Sequence, residues 1–130
     1  MDRRLHADYN TGEGRARITG TFFPNGVGVP TGNGTGGAAA GPGWTLARTG
    51  VGQYTITLAD KWLSLESKQL TPQFAALTAR LVTFGAIDLV TARTSVINGT
   101  DTAAAAQDIA ANANNSISFD LTFKTVSGLP

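Results

Sequence analysis

Near the end of the chain, Ile117, Phe119, Leu121 and Phe123 alternate with Ser118, Asp120, Thr122 and Lys124. A helix would spread those four apolar side chains around its circumference, whereas a strand places all of them on one face. The same period of two recurs upstream. Trp44, Leu46 and Arg48 share one face of a first run, with Thr45, Ala47 and Thr49 opposite, and in a second run Tyr54, Ile56 and Leu58 alternate with Thr55 and Thr57. These runs flank Gly50-Val51-Gly52, so the pattern predicts a β-hairpin. Further strands are expected over Ala16–Phe23, Trp62–Leu70, Phe74–Thr83 and Ala86–Val96, with breaks at Thr71-Pro72 and Phe84-Gly85. Phe74–Val82 is rich in helix formers, but its Ala75, Leu77, Ala79, Leu81 alternation favours a strand. Thr102–Ala111 is the best helix candidate on its alanines, although its weak apolar face leaves a surface loop or single turn open. Short threonine-rich strands between turns predict an all-β fold, an antiparallel β-sandwich or jelly-roll-like domain.

Composition then divides the chain. At 130 residues one domain is expected, and 42% hydrophobic content is enough for a core. Residues 1–14 are polar, with Asp2, Arg3, Arg4, Asp8, Asn10 and Glu13, and form an extended N-terminal arm. Residues 15–130 form a single β domain, and within it residues 25–43 hold a large share of the 16 glycines with Pro30 and Pro42. That stretch has no periodicity and is expected to be a long loop or flexible excursion.

Several chemistries drop out at once. The chain has no cysteine and a single histidine, His6, so thiol catalysis, disulfides and cysteine or histidine-cluster metal sites are not expected, and no cofactor is implied. Gly32-Asn-Gly-Thr-Gly-Gly37 matches the letters of a dinucleotide-binding loop but runs into Ala38-Ala-Ala-Gly-Pro-Gly43 instead of a helix, so the match is accidental. Asp60, Glu66, Asp88, Asp101, Asp108 and Asp120 are scattered, and a solubilising role outweighs a catalytic carboxylate pair. Asn33-Gly-Thr, Asn98-Gly-Thr and Asn114-Asn-Ser fit the glycosylation pattern but are read as turns, because the N-terminus carries no secretory signal. No stretch approaches the roughly 20 apolar residues of a membrane helix, so no membrane partner is expected.

What remains points to contact surfaces. Ten Lys and Arg against nine Asp and Glu give no strong global field, although Arg3, Arg4, Arg15 and Arg17 make the N-terminal end locally basic. These arginines, with Tyr9 in the arm, are candidate interface residues; without interleaved aromatic platforms, nucleic acid is the disfavoured partner. For Trp44 and Trp62 core packing is the first expectation and an interface role the second.

The segment Arg48-Thr-Gly-Val-Gly-Gln-Tyr-Thr-Ile-Thr-Leu58, with the closing strand Asn115–Lys124, resembles a hairpin-and-last-strand pattern of small tailed-bacteriophage virion proteins. The resemblance covers roughly residues 43–126 and leaves out the arm and glycine loop. It implies a capsid decoration (cement) protein with a jelly-roll core, non-enzymatic, a homotrimer, made in the host cytoplasm and bound to the major capsid protein on the virion surface. Residues 1–24 would make much of the shell contact, with the 25–43 loop at a subunit boundary or projecting outward. A tail-fibre or tail-associated β module and a carbohydrate-binding domain are the alternatives.

Overall fold

The computed structural model describes residues 15–32, 37–76, 80–101, 103 and 105–124. Among them, strands follow as β1 (Arg15–Phe22), β2 (Ala40–Gly41), β3 (Trp44–Gly50), β4 (Gln53–Leu58), β5 (Ser64–Gln73), β6 (Arg80–Asp88), β7 (Thr94–Asp101) and β8 (Ser116–Lys124). Every strand pairing is antiparallel. A three-stranded sheet runs β1-β8-β5 and a five-stranded sheet runs β2-β3-β4-β7-β6. The domain is an all-β sandwich, as the alternation requires.

The core lies between the sheets. Ala16, Ile18 and Phe22 of β1 and Ile117, Phe119, Leu121 and Phe123 of β8 face Trp44 and Leu46 of β3, Tyr54, Ile56 and Leu58 of β4 and Ile97 of β7. Two ring pairs join the layers: Phe22–Tyr54 at 5.2 Å and Trp44–Phe119, edge to face, at 4.9 Å. Trp62, in the crossover from β4 to β5, stacks on Phe123 at 5.7 Å. Each such buried ring contributes about 1.5–3 kcal/mol by leaving water.

The predicted hairpin is present, and Gly52 at φ +62° supplies the left-handed residue its short turn needs. Several boundaries differ from the sequence pattern. Thr71-Pro72 does not break the chain: β5 runs through it, because β5 is an edge strand and tolerates the missing Pro72 amide. Phe84-Gly85 is a bulge inside β6, between the pairs Phe84↔Ile97 and Ile87↔Ser95. The strand expected over Ala86–Val96 is instead two strands around a turn, where the Asp88 carboxylate accepts from the amides of Val90 (3.1 Å), Thr91 (3.0 Å) and Ala92 (3.3 Å). Trp62 precedes its strand. The expected Phe74–Thr83 strand covers the end of β5's connection and the start of β6, and residues 77–79 lie outside the described ones.

No helix occurs among the described residues of Thr102–Ala111. Asp101 Oδ1 accepts from the amides of Ala103 and Ala105, Ala106 bridges to Thr100, and Ile109 is buried in the core, so tertiary anchoring overrides alanine propensity. Asn98-Gly-Thr lies within β7 rather than in a turn, because its neighbours β4 and β6 both pair with it; Asn114 does sit in a turn closed by Asn115 N donating to Asn112 O at 3.0 Å.

The glycine-rich stretch is tied down where described. Phe23 bridges to Thr31 and Thr31 to Ala38, Gly26 N donates to Ile109 O at 2.8 Å, and Ala40–Gly41 adds a short strand to the sheet edge. Pro24 and Pro30 are fully buried, while Val27 and Val29 are exposed at the tip.

Candidate interaction surfaces

Strand alternation gives each sheet an inner, apolar face and an outer one, and the two outer faces differ in charge. On the three-stranded sheet the pairings align Thr21, Ser118 and Thr71 in one row and Thr19, Asp120 and Gln69 in the next, followed by Arg17, Thr122 and Ser67, and then Arg15 and Lys124. Arg17 donates to Asp120 at 2.6 Å, Arg15 to Glu66 at 3.1 Å, and the Thr21 and Ser118 hydroxyls pair at 2.8 Å. Between the first two rows lies a groove of about 300 Å³ bounded by hydroxyls, the Gln69 amide and the Asp120 carboxylate.

The outer face of the five-stranded sheet has another character. Its rows are Thr45, Thr57 and Thr94; then Ala47, Thr55 and Val96; then Thr49, Gln53, Asn98 and Thr83; then Thr100 and Leu81. Across β3, β4 and β7 this face carries no charged side chain. The register places one carboxylate at its β6 corner, Asp88, which is occupied by the turn amides. The Asn98 side chain lies over Gly85, where a Cβ would come 2.5 Å from its Nδ2.

A third feature is a polar knot at the end of this sheet. Arg48 forks onto Asp108, Nε to Oδ1 at 2.9 Å and a terminal nitrogen to Oδ2 at 2.8 Å. Gly52 N donates to Asp108 Oδ1 at 2.8 Å, and Arg80 donates to the Asp108 carbonyl at 2.7 Å. The Arg48 fork and the Gly52 amide hold the Asp108 carboxyl below the usual aspartate range against the opposing effect of burial, and Asp108 in turn raises Arg48. Burial pushes the Tyr54 phenol up beside them, partly offset by the Ile109 backbone. The knot fastens the segment after β7 to the β3–β4 turn: Gly99 N donates to Gly52 O at 2.6 Å, and a Cβ at Gly52 would lie 2.7 Å from Gln107 O.

Of the candidate interface residues, Arg3, Arg4 and Tyr9 lie outside the described residues, as does the arm. Arg15 and Arg17 sit on the charged outer face, paired with Glu66 and Asp120. Trp44 and Trp62 are buried, Trp44 with its Nε1 donating to Thr19 O at 3.1 Å. Residues 15–24, expected in the shell contact, are built into the sandwich as far as β1 reaches. Among the described carboxylates, Glu66, Asp108 and Asp120 each meet an arginine, while Asp88 and Asp101 accept turn amides. Among the described residues, no three His, Cys, Asp or Glu side chains are placed to share a metal ion, and no helix is long and apolar enough to cross a membrane.

Comparison of the chain with family models, with curated proteins and with solved structures finds no match. The knot is the part that sequence reasoning missed, because Arg48 and Asp108 are 60 positions apart and no local pattern links the two. The charge-free face was open to such reasoning: it is the polar half of the same alternation that gave the core.

Proposed function

We propose that this chain is a non-enzymatic structural protein of a tailed-bacteriophage virion, a decoration protein that binds the major capsid protein as a homotrimer. Its arm, residues 1–14, anchors it to the shell. The observation that carries the reading is the contrast between the outer faces: one carries charged side chains, and the other carries none across β3, β4 and β7. Interface centres are depleted in charge, whereas a face meant only for water is not. Several modest contacts per assembly act together because a shell fixes their spacing.

The test is fractionation of phage particles followed by a truncation. The chain is expected with heads, and removing residues 1–14 is expected to lower head occupancy at least tenfold while the domain stays folded. Undiminished occupancy rejects the arm as anchor, and recovery with tails alone rejects the head assignment. A second reading, a carbohydrate-binding domain, is favoured by the hydroxyl-lined groove around Thr19, Gln69 and Asp120. Binding of the isolated protein to a glycan array, lost in Asp120→Ala, would select it.

A further inference from the structure

We infer that residues 5–9 of one copy pair, as an added strand, with the open edge of β6 in a neighbouring copy, so that arms are exchanged around the trimer. The inference rests on the assembly reading above for the homotrimer, but its test needs no phage heads.

The arm's sequence supplies the strand. Leu5, Ala7 and Tyr9 alternate with Arg4, His6, Asp8 and Asn10, the same period of two that marks β3, β4 and β8. Thr11-Gly-Glu-Gly14 separates this run from β1. A short amphipathic strand is not stable alone; it needs an edge to pair with and an apolar layer to cover.

The sandwich supplies the edge. Among the described strands, β1 and β5 end one sheet and β2 and β6 the other. β2 has two residues, β1 gives its Thr19 carbonyl to the Trp44 indole, and β5 carries Pro72 and the inward Lys68. β6 has neither proline nor lysine, and ahead of its bulge Arg80–Phe84 pairs with β7 without interruption. In an antiparallel ladder alternate residues point their amides and carbonyls away from the partner, so the far side of this stretch can bond a further strand. The core also thins there. Inward residues of β4 and β7 are buried, whereas Val82 and Phe84, which continue that row, are half-buried. Leu5, Ala7 and Tyr9 would extend the row by one strand.

Length selects the donor. β1 lies against β2 and β5 against β6, so Arg15 and β6 are on opposite sides of the sandwich. Four strand spacings and one layer put them about 22 Å apart, with the core between. The links from Tyr9 to Arg15 reach about 20 Å when fully extended. A chain's own arm therefore cannot cover Arg80–Phe84, and a second copy must. Charge sets the direction: an antiparallel arm brings Arg3 and Arg4 toward the Asp88 end of β6 and Asp8 toward the Arg80 end, whereas a parallel one sets Arg4 beside Arg80. One arm given and one received per copy is a heterologous contact, which closes into a ring such as the trimer. The polar side of the arm stays outward for the shell.

Sedimentation and cross-linking of the full chain test this. The expected mass is three times 13.4 kDa, falling to one chain when residues 1–9 are removed, with the domain still folded by circular dichroism. Ala7→Pro, which takes a donor out of the added strand and leaves the domain untouched, should weaken assembly at least about tenfold. Because the chain has no cysteine, Ala7→Cys combined with Val82→Cys, or with Phe84→Cys, should give disulfides between chains on oxidation. Ala7→Cys with Thr122→Cys should not. A monomeric full chain, a trimer that survives both the truncation and Ala7→Pro, or disulfides absent from both β6 pairs in folded protein overturns the inference. Normal trimers and cross-links in a chain that never binds heads would reject the decoration reading alone.

Discussion

A Cβ at Gly20 would lie 2.6 Å from Trp44 Cε2 and 2.7 Å from Phe119 Cζ, and one at Gly41 would lie 2.5 Å from the indole Nε1. The Trp44 ring therefore fits in a slot that two glycines leave open, on strands from opposite sheets, with its N–H satisfied by Thr19 O. This explains why the inward row of β1 skips from Ile18 to Phe22: the indole fills the missing position. Gly20→Ala should cost about 1–3 kcal/mol by overpacking, and Trp44→Ala about 3–5 kcal/mol. Denaturant unfolding followed by Trp fluorescence or circular dichroism checks both. If Gly20→Ala unfolds at the wild-type midpoint, the slot is not tight. The sequence shows Trp44 at an inward position but gives no sign of the glycines that receive it, because Gly20 is 24 positions earlier and belongs to the other sheet.

At the scale of elements, the alternating runs were legible and the devices at their ends were not. β3, β4 and β8 follow directly from period two, since one face of each is apolar and buried, save the part-buried Arg48 end of β3, and a slip by one residue would invert it. Bulges, turns that use a carboxylate and the position of an edge depend on neighbours that local pattern does not reveal. Pro72 reads as a break only until β5 is known to be an edge strand, and Asp88 reads as a strand residue until its turn amides are seen. The same edge explains Lys68. It pairs opposite buried Leu121, so it points toward the core side, and its ammonium lies 5.4 Å from the centre of the Phe84 ring on β6. An inward lysine, a bulge and a proline together discourage strand addition at β5. Lys68→Val should therefore raise aggregation on heating, seen by light scattering, with the native fold retained; unchanged scattering would remove this protective role.

The Arg48–Asp108 knot gives a second prediction at this scale. Asp108 titrates lower in the folded chain than in the unfolded one, so its stabilisation is complete above the unfolded value of about 3.9 and fades as pH falls through the lower folded value. Asp88 shifts in the same direction through its turn amides. The melting temperature should thus fall as pH drops below about 4, and Asp108→Asn should lower it at pH 7 while flattening part of that acid dependence. A variant with the full wild-type acid slope would show that Asp108 does not carry it. Loss of the knot should also raise hydrogen exchange at Gly52 and Gly99, whose backbones approach at 2.6 Å.

The whole molecule joins an apolar interior with two outer faces of unlike charge. Fold class was readable in advance because both follow from the same alternation. The extent of the uncharged outer face was harder, since it depends on which outward rows adjoin across strands about 40 positions apart, such as Thr57 beside Thr94 and Thr55 beside Val96. Arg17 and Asp120 pair on the charged face, beside an open groove lined in part by the hydroxyls of Thr19, Thr21, Thr71 and Ser118. Imaging of intact phage particles with this chain located in the density tests the central claim most directly. The account predicts trimeric clusters of copies on the outer surface of the head. Single, separated copies, or density confined to the tail, would contradict it.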